Sequence, residues 1–170
     1  MAGGDVEVTA WRAVVESEPD FAQRVQKIMD AHRHKTMATL RADGSPRISG
    51  IEASFVEGQL WFGSMPGARK GDDLRRDPRF ALHSASVDPP EGDESKWSGD
   101  AKLSGRAVQI TDPDELAAAL RALGTQPDQS AELFRADIGE VVLIRVGDPP
   151  DHLVIELWRP GLPLHRIERR

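Results

Sequence analysis

The stretch best equipped for chemistry is SMPGARKGDDLRRDPRF, residues 64–80. It sets Arg69 and Lys70 where a glycine- and proline-bearing loop turns into a short helix. A helix start carries partial positive charge, so cations there cost some tenths of a kcal/mol to about 1 kcal/mol. A bound anion would offset that cost, because backbone N–H groups at a helix start, helped by basic side chains, form a phosphate site. In the other reading, Asp72 and Asp73 in the same turn offset the dipole and both cations are solvated. This stretch alone leaves the two readings open.

More residues of the same chemistry lie upstream. Arg47 and Ser49 share one face of a strand by its period of two. Ser64 ends the partner strand across a hairpin, just before Arg69 and Lys70. These five phosphate-competent groups can converge, with arginine supplying a bidentate fork, lysine a point charge and serine a donor. Trp61 and Phe62 read as core. Trp158, at the end of the last strand, could wall a planar ligand or pack in a core or interface.

Other chemistries find little support. His32, His34, His83, His152 and His165 are scattered, no HExxH occurs and cysteine is absent. That argues against a transition-metal site and leaves a single histidine as a haem ligand open. There is no G-x-S-x-G elbow, no Walker loop and no G-x-G-x-x-G. No residue stands out as an acid–base catalyst; His165 is the candidate.

The 170 residues carry a formal net charge of -6, which disfavours a nucleic-acid partner. No apolar run approaches the roughly 18 residues of a membrane span. The start, MAGGDVEVTAW, lacks the basic and apolar regions of a secretory signal, and with no cysteine the expected location is the cytoplasm.

The elements that must position these groups follow from pattern. Residues 1–18 read as a flexible arm. Pro19 opens a helix over 20–32, with Phe21, Val25, Ile28 and Met29 on one face. Strands are expected over 36–40, 47–56 and 59–62, the last two joined by a tight turn at Glu57-Gly58. The short helix that follows stops at Asp77-Pro78, and a strand covers 79–84. Residues 87–98 form a polar surface loop, and 100–111 a long strand. A helix capped by Asp112-Pro113 ends at Gly124. A helical turn is expected around Leu133-Phe134 within 125–136. Strands over 140–146 and 152–158 precede a basic tail. Hairpins dominate, which indicates an antiparallel sheet or barrel with peripheral helices, an α+β fold.

TMATLRADGSPRISGIEASFVEGQLWFGSMPGARKGDDLRRDPRFAL resembles the first half of the pyridoxamine 5'-phosphate oxidase-like proteins, the flavin-binding split-barrel superfamily. IELWRPGLPLH resembles their closing strand and tail, so the resemblance runs from residue 20 to about residue 168. It implies a six-stranded antiparallel split β-barrel with Greek-key order, forming one domain over 19–170, and a homodimer with FMN in a groove between subunits. In that arrangement Arg47, Ile48, Ser49, Gly50, Ile51 and Glu52 line the flavin, and Gly63 and Ser64 close on it. Arg69 and Lys70 hold its phosphate, Asp100 lies near the ring, and Trp158 stands beside it from the partner subunit. Hydride transfer between the flavin and a small planar substrate is the implied activity, with a non-catalytic flavin- or haem-binding module as the alternative. The family's pyridoxamine-phosphate oxidases carry a lysine where Glu52 stands and an Arg-Leu-His trio where this chain has Pro163-Leu164-His165. A substrate phosphate would therefore meet a carboxylate, which disfavours vitamin B6 oxidation. The superfamily also contains enzymes of the deazaflavin coenzyme F-420, a second cofactor option.

Overall fold

The structure is a computed structural model and describes residues 8–125 and 132–170. Its helices are α1 (Trp11–Ser17), α2 (Pro19–Asp30), α3 (Arg69–Arg76) and α4 (Pro113–Ala122). Its strands are β1 (His34–Leu40), β2 (Pro46–Val56), β3 (Gln59–Ser64), β4 (Arg79–His83), β5 (Asp100–Gln109), β6 (Glu132–Val146), β7 (Leu153–Trp158) and β8 (His165–Arg169). Local signals account for several boundaries. Pro19 occupies the first turn of α2. The Asp112 carboxylate accepts from the backbone N–H groups of Asp114 and Glu115 at the start of α4. Glu57 and Gly58 both take positive φ, the geometry of a two-residue hairpin turn.

The strands pair antiparallel in the order β3-β2-β1-β4-β5-β6, and β3 also pairs with β6, closing a six-stranded barrel. Three hairpin-linked strands with the fourth returning beside the first make a Greek key. The split arises on one edge of β6. Its first part, Glu132–Ala136, carries β3, and its last part, Val141–Val146, carries β7, which in turn carries β8. Between them Ile138 exchanges both backbone hydrogen bonds with Thr9, so the gap leaves no unpaired amide there. On the other edge Ser104 faces Glu140 and Gly105 faces Ile138, so Gly139 is an extra, bulged residue.

Inside the barrel Phe62 stacks on Phe134 and meets Phe80 edge-on, at centroid separations of 5.9 and 5.4 Å. Helix α2 buries Phe21, Ala22, Val25 and Met29 against this core. A satellite cluster of Ile110, Ala119, Leu120 and Leu133 seats α4, with Trp61 half-buried against it.

Three sequence-based expectations change. Residues 11–17 of the expected arm form α1, whose Trp11 packs on Phe55 at 4.5 Å while the Arg12 N–H bonds the Gly58 carbonyl. Seven residues are too few for a periodic signal, and the docking partner is a distant hairpin. Leu133 and Phe134 lie in β6 instead of a helical turn, because β3 and β5 flank them on both sides; the rest of that expected turn, 126–131, lies outside the described residues. The basic tail forms β8, drawn into register by β7.

Helix α3 is tied to the barrel by one buried carboxylate. Asp73 is 3% exposed and accepts from Thr39 Oγ1 of β1 at 2.9 Å, Arg47 Nε of β2 at 2.6 Å and Arg76 Nη2 at 2.9 Å. Burial by itself would push the Asp73 carboxyl up, but the bonds from Arg47, Arg76 and Thr39 outweigh it and hold the carboxyl down at about 2. Because the folded value lies below the ordinary 3.8, the resulting stability is present above that pH and is lost as pH falls toward 2. It amounts to about 2 kcal/mol. Asp73→Asn is expected to remove about 2–3 kcal/mol at neutral pH and to flatten the acid limb of the unfolding profile, both read by urea titration at several pH values. Gly105→Ala is expected to cost about 1–3 kcal/mol in the same assay, because its Cβ would stand 2.0 Å from the Asp137 carbonyl oxygen across the β5–β6 ladder.

Candidate cofactor groove

The period of β2 separates its residues into two faces. Arg47, Ser49, Ile51 and Ala53 point inward and become more buried along the strand, while Ile48, Gly50, Glu52 and Ser54 are exposed. A groove of about 650 Å³ opens beside Gly50, Ile51 and Glu52 of β2, Trp61–Ser64 of β3 and Lys70 of α3. Leu120 and Leu123 of α4, with Glu132 and Leu133 of β6, form its far wall. Lys70 Nζ donates to the Gly50 carbonyl at 3.1 Å. Ser64 is buried and, among the described residues, its hydroxyl bonds only the Met65 carbonyl, at 3.3 Å.

Of the five groups proposed to converge, four are divided between two sites and Ser49 lines neither. Arg69, roughly 100° round the helix from Lys70, borders an adjoining cleft of about 340 Å³ together with Arg41, Arg47, Arg76 and three aspartates. Arg47 is already committed to Asp73, so its guanidinium braces α3. Arg69 donates to no acceptor among the described residues. The groove thus gathers Gly50, Ile51, Glu52, Gly63, Ser64 and Lys70 from the sequence-derived set, while Arg47 and Arg69 sit behind the first turn of α3. Ser49 lies inward on the same strand, and Ile48 points out, 75% exposed.

Asp100 and Trp158 are not brought to this groove. Trp158 is 2% exposed, packs in the main core and donates its indole N–H to Ser17 Oγ at 2.9 Å. With no free ring face it cannot stack on a ligand of its own or a partner subunit in this conformation. Asp100 begins β5, with Oδ2 at 3.6 Å from His83 Nε2 and Oδ1 buried without a partner.

Sequence reasoning missed Glu132. Its Oε1 accepts from Arg75 Nη1 at 2.6 Å, and its Oε2 is buried with no hydrogen-bond partner. A Cβ on residue 71 would lie 2.3 Å from that Oε2, so Gly71 permits the carboxylate to approach the first turn of α3. The only sequence signal was an acidic residue directly before an apolar pair.

These residues fit a flavin phosphate. Glu52 is matched by Arg33 at 2.9 Å and Glu132 by Arg75, so the Lys70 ammonium remains in surplus for an anion in the groove, with the Arg69 guanidinium in the adjoining cleft. The unmatched Oε2 of Glu132 can accept from a hydroxyl, and a ribityl phosphate carries hydroxyls and a phosphate together. Trp61, Leu120 and Leu123 supply apolar wall for a planar ring. Among the described residues no cluster of three or more candidate ligands could hold a metal ion, and no helix is long and apolar enough to cross a membrane.

Comparison with known proteins agrees with this geometry. No curated protein matches the chain in sequence. An FMN-binding, pyridoxamine 5'-phosphate oxidase-related protein of Nostoc punctiforme superposes with a TM-score of 0.60 at 14% identity, covering 90% of this chain and 96% of its own. General Stress Protein 26 of Bacillus anthracis gives 0.56 at 15% identity, with coverage of 81% and 96%. A heme binding protein of Mycobacterium smegmatis gives 0.58 at 18% identity; it is matched over 85% of this chain, which spans only 56% of that longer one. At these identities the likeness establishes the fold. The family model for pyridoxamine 5'-phosphate oxidase matches residues 21–147, three quarters of the chain and all but two strands of the sheet, and the chain belongs to that family.

Proposed function

We propose that this chain is an FMN-binding oxidoreductase that moves hydride between the flavin and a small planar substrate. The observation that carries the reading is the surplus positive charge at the start of α3: Lys70 is held only by a backbone carbonyl and Arg69 by nothing among the described residues. Lys70 takes the phosphate from within the groove, Arg69 adds positive potential from the adjoining cleft, and Ser64 and Glu132 line the path of the ribityl chain. The backbone of Gly50–Glu52 and the side chains of Trp61 and Leu123 border the ring. Once bound, FMN supplies the hydride chemistry. Glu52, half exposed and paired with Arg33, offers the groove a hydrogen-bond acceptor, which suits a neutral or cationic substrate. Coenzyme F-420, which also bears a ribityl phosphate, is the competing cofactor. A homodimer belongs to the same proposal: Ile48 on the outer face of β2 and Met65 on the groove, 75% and 78% exposed, gain cover from a second copy.

The test is a parallel titration of FMN and F-420, read by quenching of tryptophan fluorescence and by the visible spectrum. FMN is expected to saturate, with quenching reduced in Trp61→Phe. Arg69→Ala combined with Lys70→Ala is expected to weaken it at least about tenfold, since the Lys70 charge-assisted bond contributes about 1.5–3 kcal/mol and Arg69 acts from the adjoining cleft. Unchanged affinity in the double variant would sink the phosphate assignment, saturation by F-420 alone would replace the cofactor, and a Soret band on haem addition would point to His34, the histidine on the groove.

A further inference from the structure

A second cavity, of about 470 Å³, shares no lining residue with the groove. It lies between α2, the two ends of the 87–98 loop and the last part of β6. Its walls are apolar: Ile28 and Ala31 from the end of α2, Val87 from the loop and Leu143 from β6. Trp97 donates its indole N–H to the Val87 carbonyl at 2.9 Å and so ties the two ends of the loop together.

The mouth of this apolar space is basic. Arg24 and Lys27 stand one turn apart on α2, and Arg145 reaches in from β6. Glu156 is the carboxylate in contact with the two arginines, and Asp20, one turn before Arg24, adds a longer-range attraction. Glu156 of β7, 8% exposed at its side chain, accepts from both terminal guanidinium nitrogens of Arg24, Nη1 and Nη2, the latter at 2.9 Å, and from Arg145 Nε at 3.5 Å. Asp30, the nearest acid on α2 to Lys27, bonds Gln26 instead, at 3.3 Å. Lys27 has no hydrogen-bond or ion-pair partner among the described residues. Among the described residues the two arginines contact a single carboxylate, Glu156, while Asp20 and Asp30 stand a turn away from Arg24 and Lys27 on α2, so Lys27 is the uncontacted cation beside the apolar cavity.

We infer that this cavity binds a small organic anion with an apolar body, an aryl or medium-chain acyl carboxylate. Lys27 and the Arg24–Arg145 pair meet the anionic head, and Ile28, Val87 and Leu143 pack its body. Glu156 holds Arg24 through Nη1 and Nη2 and Arg145 through Nε, so both guanidinium groups are already placed at the mouth before a ligand arrives. The site is independent of the flavin reading, because the two cavities have no residue in common.

The full chain is titrated with anilinonaphthalene sulfonate, an anionic fluorescent probe, and the bound probe is then displaced with decanoate. Neutral N-phenyl-naphthylamine is run in parallel. Saturable binding of the anionic probe and its displacement by decanoate are expected. Lys27→Glu, an exposed substitution that leaves the core untouched, is expected to weaken decanoate about tenfold while the neutral probe binds as before. Ala31→Trp, which fills the cavity, should abolish both, with the fold checked by circular dichroism and FMN affinity unchanged in both variants. The inference is overturned by non-saturable probe binding, by decanoate affinity indifferent to Lys27→Glu, or by a matching loss of FMN affinity, which would make the cavity part of the flavin site.

Discussion

The buried carboxylate of Asp73 sets the geometry on which the rest depends. It is the point at which β1, β2 and α3 meet, through Thr39, Arg47 and Arg76. A carboxylate this deep is tolerated only because its oxygens are matched by two cations and a hydroxyl. The arrangement fixes the rotation of a short helix with little apolar surface of its own. That rotation sends Lys70 toward the groove and Arg69 toward the neighbouring cleft. It also explains why an arginine that looks like a ligand-binding residue, Arg47, acts as a brace.

The barrel supplies the second constraint. Closure through β3 and β6 brings the end of a hairpin beside the start of a strand about seventy residues later, placing Ser64 opposite Glu132. Antiparallel pairing leaves each strand one inward and one outward face, so β2 can bury Ile51 and Ala53 while offering Gly50 and Glu52 to the groove. Helix α4, seated by Leu120 on Leu133, then raises the far wall. The groove is therefore a product of closure, and each element contributes only part of it.

Charge decides what the groove can accept. Its two glutamates are each matched by an arginine from outside, so they shape polarity without cancelling Lys70. The same logic operates at the second cavity in reverse: there one glutamate serves two arginines and Lys27 is left uncontacted among the described residues. In both places the pairing of a buried or half-buried carboxylate, more than the bare count of charges, sets the local field.

Much of this was legible in the residues alone. Strand alternation, the Glu57-Gly58 turn, the Asp112-Pro113 cap and the position of Arg69 and Lys70 at a helix start are local properties, encoded within a few residues of where they act. The family resemblance likewise carried the Greek-key order, which pairing confirms. What the tertiary structure alone decided was partnership. Trp158 carries no local mark that it is core and not ligand wall; Ser17 of α1 and the surrounding barrel settle it. Helix α1 exists because a distant hairpin receives Trp11 and Arg12, and β8 because β7 offers an open edge. Arg47 became a brace and Glu132 a groove residue through contacts 26 and 57 positions away in the chain. Backbone preference is a short-range property of sequence, whereas the partner of a charge or an aromatic ring depends on how the barrel closes.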